Sequence, residues 1–290
     1  LLTKDGFILP KSKGRDHVNL LTFLSRLFAA LAHAKEAADV SGAPDGEYRI
    51  YNDKKSIYDV STVDTQSAAP PGWEGAPPYR YIDVSRWQGK IKMEGWARVK
   101  AAGYKGVMLR AVGSRNGVPY IDPTFEDNYA NAKAAGLDVG MYYYTNASCE
   151  KLADEELAVL RQALVGKEMT MPVAVDLESP SLAGMPYGNL SNLAAYHLEQ
   201  IEKMGFFAQL YTYTSYANVH LDMARLAGRW DVWLADYTGK TPKVSFKYNA
   251  HQHTSKGSVP GITGNVDLNV TTRNYPKIIK TKGLTRLREG

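Results

Sequence analysis

Met171-Pro-Val-Ala-Val-Asp-Leu-Glu-Ser-Pro180 is a short apolar run that ends in two carboxylates one residue apart and is closed by a proline. Val173, Ala174, Val175 and Leu177 have no helical spacing and suit a strand buried on both faces, as in a parallel sheet. Strand side chains alternate, so Asp176 and Glu178 share one face, with Cα atoms about 6–7 Å apart. Two acids at the carboxyl end of a buried strand repel each other, and in barrels and open α/β sheets that end is where chemistry sits. A lone Asp-x-Glu fits better a strand end that simply meets water. The rest of the chain decides between the two readings.

From residue 79 onward, strand and helix patterns alternate, the signature of a parallel α/β architecture. Strands are predicted at 81–85, 106–112, 138–145, 172–178 and 206–214. Helices follow over about 92–102, 123–135, 149–165 and 189–204, with a short one after the fifth strand. The stretches 231–237, 247–254 and 265–270 read as strands with no room for full helices between them. Five β/α units and three bare strands predict an α/β barrel closed irregularly over 79–272. Before it, 67–78 is a Pro/Gly/Ala linker by composition. Residues 1–66 read as an attachment segment: a helix over about 17–38 capped by Asp16 with an apolar stripe from Leu20 to Leu31, then short strands. After the barrel, 273–290 reads as a basic tail, with Arg273, Lys277, Lys280, Lys282, Arg286 and Arg288, expected to be a solvated terminus.

Composition narrows the function classes. The chain has 290 residues, 44% of them apolar, enough for one large domain and a smaller attachment. Cys149 is the only cysteine, so no internal disulfide forms and a cysteine-based metal site is excluded. No run of 18 apolar residues is present, so no membrane span is expected, and no signal peptide is visible. The chain opens on Leu-Leu, as a processed or partial chain would. The net charge of +5 arises downstream of residue 80, and no nucleic-acid partner is expected. Nineteen tyrosines against seven phenylalanines suit a groove for sugars, since each offers a flat apolar face and a hydroxyl. No Gly-rich phosphate loop, Gly-x-Ser-x-Gly elbow or His-Glu-x-x-His helix occurs.

Acids recur at the ends of other predicted strands: Asp83 in the first, Asp236 in the sixth, and Asp267 at the start of the last. If the barrel closes, the first and last strands are neighbours, and Asp83 and Asp267 share the mouth with Asp176 and Glu178. Any one of them fits a turn former; four on one rim point to glycoside cleavage. There one carboxylic acid keeps its proton for the leaving oxygen while others stay ionised to steady an oxocarbenium-like centre. Glu178, with the longer reach, is the best proton donor. His251 and His253 read as polar wall residues rather than ligands, so no metal and no cofactor is expected.

These residues resemble the lysozymes of glycoside hydrolase family 25, muramidases of bacteria and phages. The resemblance covers about 79–272, two thirds of the chain. It rests on Asp83-Val-Ser-Arg-Trp-Gln-Gly89, Tyr120-x-Asp122-x-x-Phe125-x-x-Asn128, Ala132, Gly136 and Gly140-x-Tyr142, then Pro172-Val-Ala-Val-Asp-Leu-Glu178, Trp233-Leu-Ala-Asp-Tyr237, Gln252 and Val266-Asp-Leu268. It implies a TIM-like (β/α)5(β)3 barrel that hydrolyses the β-1,4 bond between N-acetylmuramic acid and N-acetylglucosamine in bacterial peptidoglycan. By the same resemblance Glu178 is the general acid/base, and Asp176 assists or orients the substrate's N-acetyl group. Asp83, Asp267, Asp236, Trp233 and Gln252 support them, and Tyr142, Tyr144, Tyr211 and Tyr213, which alternate on their strands, are candidates to stack on sugars. The chain departs from the family at Leu109-Arg-Ala-Val-Gly-Ser114, where a Lys or Thr near a Glu-Gly pair is common, and residues 1–78 match nothing in it. The expectation is a phage- or prophage-encoded lysin, acting outside the cell at the wall or carried in a particle, with virion or host-surface proteins as partners of the N-terminal segment. A non-catalytic glycan-binding or virion structural module on the same barrel is the alternative. A chitinase-like enzyme fits less well, because Val173 and Ala174 stand where that family's run has further acids.

Overall fold

The computed structural model describes residues 79–288 except Asn116. The expected helix over 17–38, the short strands after it and the linker over 67–78 lie outside the described residues.

The strands are β1 (Tyr79–Val84), β2 (Gly106–Arg115), β3 (Val118–Ile121), β4 (Asp138–Tyr144), β5 (Val173–Asp176), β6 (Ala208–Tyr213), β7 (Asp231–Ala235), β8 (Ala250–Gly257) and β9 (Val266–Thr271). The helices are α1 (Met93–Ala101), α2 (Phe125–Ala134), α3 (Glu150–Leu164), α4 (Tyr187–Lys203), α5 (Thr214–His220), α6 (Met223–Arg229) and α7 (Tyr275–Thr281). Eight strands close into a barrel, because β1 pairs with both β2 and β9, while β3 hangs on β2 as an antiparallel hairpin. The barrel is the (β/α)5(β)3 form that the resemblance implies. Neighbours from β1 through β8 run parallel, and β9 runs against both of its neighbours. That reversal brings the start of β9 to the rim formed by the carboxyl ends of the others, and the register sets Asp267 directly opposite Asp83.

Strand alternation sorts the side chains into two cores. Ile82, Leu109, Val139, Met141, Val173, Val175 and Leu177 face outward into the layer covered by the helices. Tyr81, Met108, Ala174, Tyr211, Trp233 and Ala250 fill the barrel interior. Ala174 is therefore interior and Val175 exterior, so the next interior position on that strand is Asp176, its last residue.

Three elements differ from the sequence reading. The loop predicted after the second strand contains β3, whose four residues are too short for a periodic signal. The fifth unit carries two short helices, the second capped by Asp222, which accepts from the Arg225 amide. The stretch expected as a solvated tail forms α7, and its Tyr275, Ile278, Ile279 and Leu284 are buried in the interior core at the end opposite the acids. Lys277 and Lys280 masked this in the sequence, because they occupy the outer side of a helix whose other side is apolar, and Lys282 follows directly after it. Arg273 is buried against Asp231, Nε to Oδ2 at 3.2 Å. Among the described residues no helix is long and apolar enough to cross a membrane.

Candidate active site

At the carboxyl-end rim the barrel opens into a cleft of about 350 Å³ whose lining includes Asp83, Asp176, Glu178 and Asp267. Four acids contributed by β1, β9 and the end of β5 thus meet in one place. Asp83 and Asp176 are buried, at 4% and 5% exposure. Tyr142, Tyr144, Trp233 and Gln252 join them in the lining, as expected. Tyr213 and Asp236 do not. Tyr213 lies on the rim with its ring 5.5 Å from that of Tyr216. Asp236 caps the turn after β7: its carboxylate accepts from the Thr214 hydroxyl at 2.7 Å and from the Thr238 amide at 3.0 Å. Burial raises its pKa, but the bonds from Thr238 and Thr214 prevail and hold it below the usual value. It is the turn-forming aspartate that the plainer reading of the sequence allowed.

Asp83 is fixed by a network with one consistent donor pattern. The Trp233 indole N–H, which can only donate, reaches Asn269 Oδ1 at 2.8 Å, so Asn269 Nδ2 is left to donate to Asp83 Oδ2, also at 2.8 Å. Gln252 accepts at Oε1 from the hydroxyls of Tyr211 (2.9 Å) and Tyr237, and donates through Nε2 to the same Asp83 oxygen at 2.8 Å. Two amide donors on one oxygen favour the ionised carboxylate. Burial, then Asp267, push the Asp83 pKa well up, against Asn269 and Gln252. We assign the charge from the donors: Asn269 and Gln252 each spend a 2.8 Å bond on this one oxygen, much shorter than the 3.4 Å that Asn269 Nδ2 makes to the Asp267 carbonyl.

The other three acids are also shifted upward. Burial and then the Glu178 and Asp83 charges raise Asp176, while Arg110 pulls it back. Glu178 is raised by burial and by Asp267. Asp267 is pushed up to about 6, mainly by burial. Four like charges cannot coexist in such a space, so at least one proton is retained near neutrality. Asp176 Oδ1 is buried without a hydrogen-bond partner. Arg110 supplies the one cation in the lining, and it is itself held by Asp122 through Nε at 2.8 Å and Nη2 at 2.6 Å.

Glu178 lies two residues beyond the end of β5, so the ladder alone does not set its direction. The Leu177 amide still donates to the Tyr211 carbonyl at 3.0 Å. Ser179, next in sequence, is buried; its hydroxyl donates to Asn146 Oδ1 at 2.5 Å, and its carbonyl accepts from the Tyr216 hydroxyl at 3.1 Å. The Asn146 amide in turn donates to the buried Glu156, at 2.9 Å. If this clamp aims Glu178, Asn146→Ala and Ser179→Ala should each lower kcat about tenfold with KM little changed. Their double variant should be no worse than either alone. Steady-state kinetics reads this out, and fully additive losses would exclude the clamp.

Sequence reasoning passed over several lining residues. Arg110 was noted only as a departure from the family, although a lone cation two positions from Met108 in an apolar strand is an interior signal. Asn269, buried behind the lining where it holds Asp83, follows Asp267 by two, the same-face spacing of a strand. Ser85, Trp87 and Gln88 come in the turn directly after Asp83, and Tyr237 in the turn after β7. Turn residues carry no periodicity, so only their proximity to a strand-end acid could have marked them. His251 and His253 lie outside the lining. Among the described residues no three His, Cys, Asp or Glu side chains are placed to hold a metal ion.

A cluster of carboxylates at the mouth of an α/β barrel, flanked by tyrosine and tryptophan, is the kind of arrangement glycoside cleavage calls for. The sequence profile of glycosyl hydrolases family 25 matches residues 82–262, and the chain belongs to that family. An autolytic lysozyme of Clostridium acetobutylicum is 27% identical over 187 residues, 64% of this chain and 54% of that protein, so the chain spans about half of its length. The bacterial lysozyme of Streptomyces coelicolor shares the fold with a TM-score of 0.61 at 23% identity, covering 72% of this chain and 100% of the other. The CTP1L endolysin gives a TM-score of 0.58 at 25% identity, covering 70% of this chain and 69% of its own.

Proposed function

We propose that the protein hydrolyses the β-1,4 bond between N-acetylmuramic acid and N-acetylglucosamine in bacterial peptidoglycan. The observation that carries this reading is the convergence of Asp83, Asp176, Glu178 and Asp267 in one cleft. Glu178 is the general acid: burial and the Asp267 charge keep its proton on, and it passes that proton to the leaving glycosidic oxygen. As the bond breaks, positive charge grows at the sugar carbon, and the ionised Asp83 stabilises it together with Asp176, whose charged form the nearby Arg110 favours. Asp176 also orients the neighbouring N-acetyl group. Glu178, now a carboxylate, draws a proton from the incoming water and returns to its starting state. Tyr142, Tyr144 and Trp233 shape the walls against which the sugar rings lie.

Mass spectrometry of digested cell walls tests the assignment. Fragments with N-acetylmuramic acid at the new reducing end support it; N-acetylglucosamine there, or binding with no new reducing ends, overturns it. The pH profile is a second check. Activity falls as pH rises through the Glu178 pKa, which lies above the usual glutamate value. Asp267→Asn removes a neighbouring negative charge, lowers that pKa and should move the falling limb toward acid by about one unit. An unmoved limb would dissociate Asp267 from the proton donor. The likeness to an endolysin supports a phage or prophage source and action at the wall or from a particle; proteomics of purified particles decides whether the chain travels with them.

A further inference from the structure

The cleft has an asymmetric mouth. Trp87, in the turn after β1, lines it and is 76% exposed, a large apolar surface left in water beside four acids. The turn is not loose: the Trp87 amide donates to Ser85 Oγ at 3.3 Å and the Arg86 amide to Asp122 Oδ2 at 3.1 Å. The Arg86 guanidinium lies 5.0 Å from the Trp87 ring centroid and 5.9 Å from that of Tyr120 on β3. Arg115, at the end of β2, lies 5.8 Å from the same Tyr120 ring. Trp87, Arg86, Tyr120 and Arg115 therefore form a strip leading from the cleft along the β2–β3 hairpin. Tyr120 pairs with Gly113 across the hairpin, and its hydroxyl and ring occupy the space where a Cβ at Gly113 would sit, 2.7–2.8 Å away. A side chain at Gly113 would displace the ring, so the bare glycine lets the aromatic lie flat on the sheet. Neither guanidinium has a carboxylate partner among the described residues.

We propose that Arg86, Trp87, Tyr120 and Arg115 form a binding ledge for the carboxylate-bearing peptide stem of the substrate, continuing outward from the sugar-cleaving cleft whose lining it shares at Trp87. The inference rests on the peptidoglycan reading above and adds the part of the substrate that the cleft does not address. Peptide stems carry free carboxylates, which a cleft holding Asp83, Asp176, Glu178 and Asp267 repels. Two guanidiniums without a carboxylate partner among the described residues, set on a fixed aromatic base, attract them and hold them to one side. Guanidinium stacked on a ring keeps its in-plane N–H donors free, the arrangement suited to accepting a carboxylate edge-on.

The test uses the full chain and two soluble ligands: glycan strands with their peptide stems, and the same strands after an amidase has removed them. Arg86→Ala combined with Arg115→Ala should raise KM for stem-bearing strands about five- to tenfold with kcat little changed. It should leave KM for stripped strands at the wild-type value and flatten the salt dependence of the first reaction. Gly113→Ala, which alters no charge, should shift KM in the same direction for the stem-bearing strands alone. Equal changes on both ligands, or no change on either, overturn the ledge. Calorimetric binding of both ligands is measured in parallel. A wild type that hydrolyses neither strand overturns the hydrolase reading, while the ledge is still decided by whether the arginine variant loses the preference for stems.

Discussion

Glu178→Gln is expected to lower the rate of cell-wall hydrolysis by about 10²- to 10⁴-fold, the usual worth of a general acid, without lowering the melting temperature at neutral pH. The amide keeps the shape of the side chain and the Ser179 clamp, but has no proton to give. The stability half of the expectation follows from the same electrostatics. Asp83, Asp176, Glu178 and Asp267 all have folded-state pKa values raised above their ordinary ones. An acid shifted that way gives stability that is full below its unfolded pKa and is lost as pH rises through the folded value. The wild type should therefore become less stable from about pH 4 upward, with Asp267, raised to about 6, marking one step of that decline. Removing one ionisable member weakens the repulsion. Asp267→Asn, whose site is partly open to solvent, should gain about 1 kcal/mol near pH 7, roughly 2–4 °C in Tm. Melting curves of both variants across pH 4–8, beside their kinetics, check the two halves together. An active Glu178→Gln enzyme would remove the residue from the chemistry. An inactive one that has also lost its fold would leave the clamp variants of Asn146 and Ser179 to report on the site.

The acids thus oppose folding and serve the site at once, which is why they stood out in the sequence. Asp176 and Glu178 interrupt an otherwise apolar strand, and a local rule broken at a strand end marks a functional position more often than a structural one. Asp83 and Asp267 were legible for a topological reason. Once five β/α units and three bare strands are read, closure makes the first and last strands neighbours, and β9's reversed direction turns an acid at its start into a partner for one near the end of β1. Asp236 carried the same residue type at a similar place, yet it caps a turn through Thr214 and Thr238. Composition cannot separate those two fates, because they depend on which way a single residue past the strand end points. Arg110 and Asn269 were hidden for the opposite reason: they sit on ordinary strand faces, and only the register that aims them at Asp176 and Asp83 gives them meaning. Trp87 and Tyr237 belong to turns, where sequence has no period to read.

The C-terminal stretch is where charge misled most, and its removal carries the second large expectation: a chain ending at Thr272 should fail to form a cooperatively folded barrel. Such a truncation removes Tyr275, Ile278, Ile279 and Leu284, each at or below 1% exposure, from the interior core. At about 2–5 kcal/mol for each large buried side chain, the loss is on the order of 10 kcal/mol, comparable with the whole stability of a typical domain. It also strips backbone bonds that stitch the segment to the barrel, Met169 amide to Thr285 carbonyl at 2.8 Å and Arg288 amide to Met204 carbonyl at 2.9 Å. A single substitution isolates the electrostatic share. Arg273→Ala leaves Asp231 buried with the Tyr275 hydroxyl at 3.1 Å as its remaining side-chain hydrogen bond among the described residues, and should cost about 3–5 kcal/mol. Burial already raises the Asp231 pKa against the pull of Arg273, Tyr275 and Lys247. Without Arg273 it rises further, so the defect should be smallest in acid and grow as pH climbs to neutral. Asp231→Asn in the same chain removes the stranded charge and should recover part of the loss. Chemical denaturation at pH 4.5 and pH 7 measures all of this. An Arg273→Ala protein equally stable at both would mean that the base of the barrel is held by packing alone, with the buried pair incidental to it.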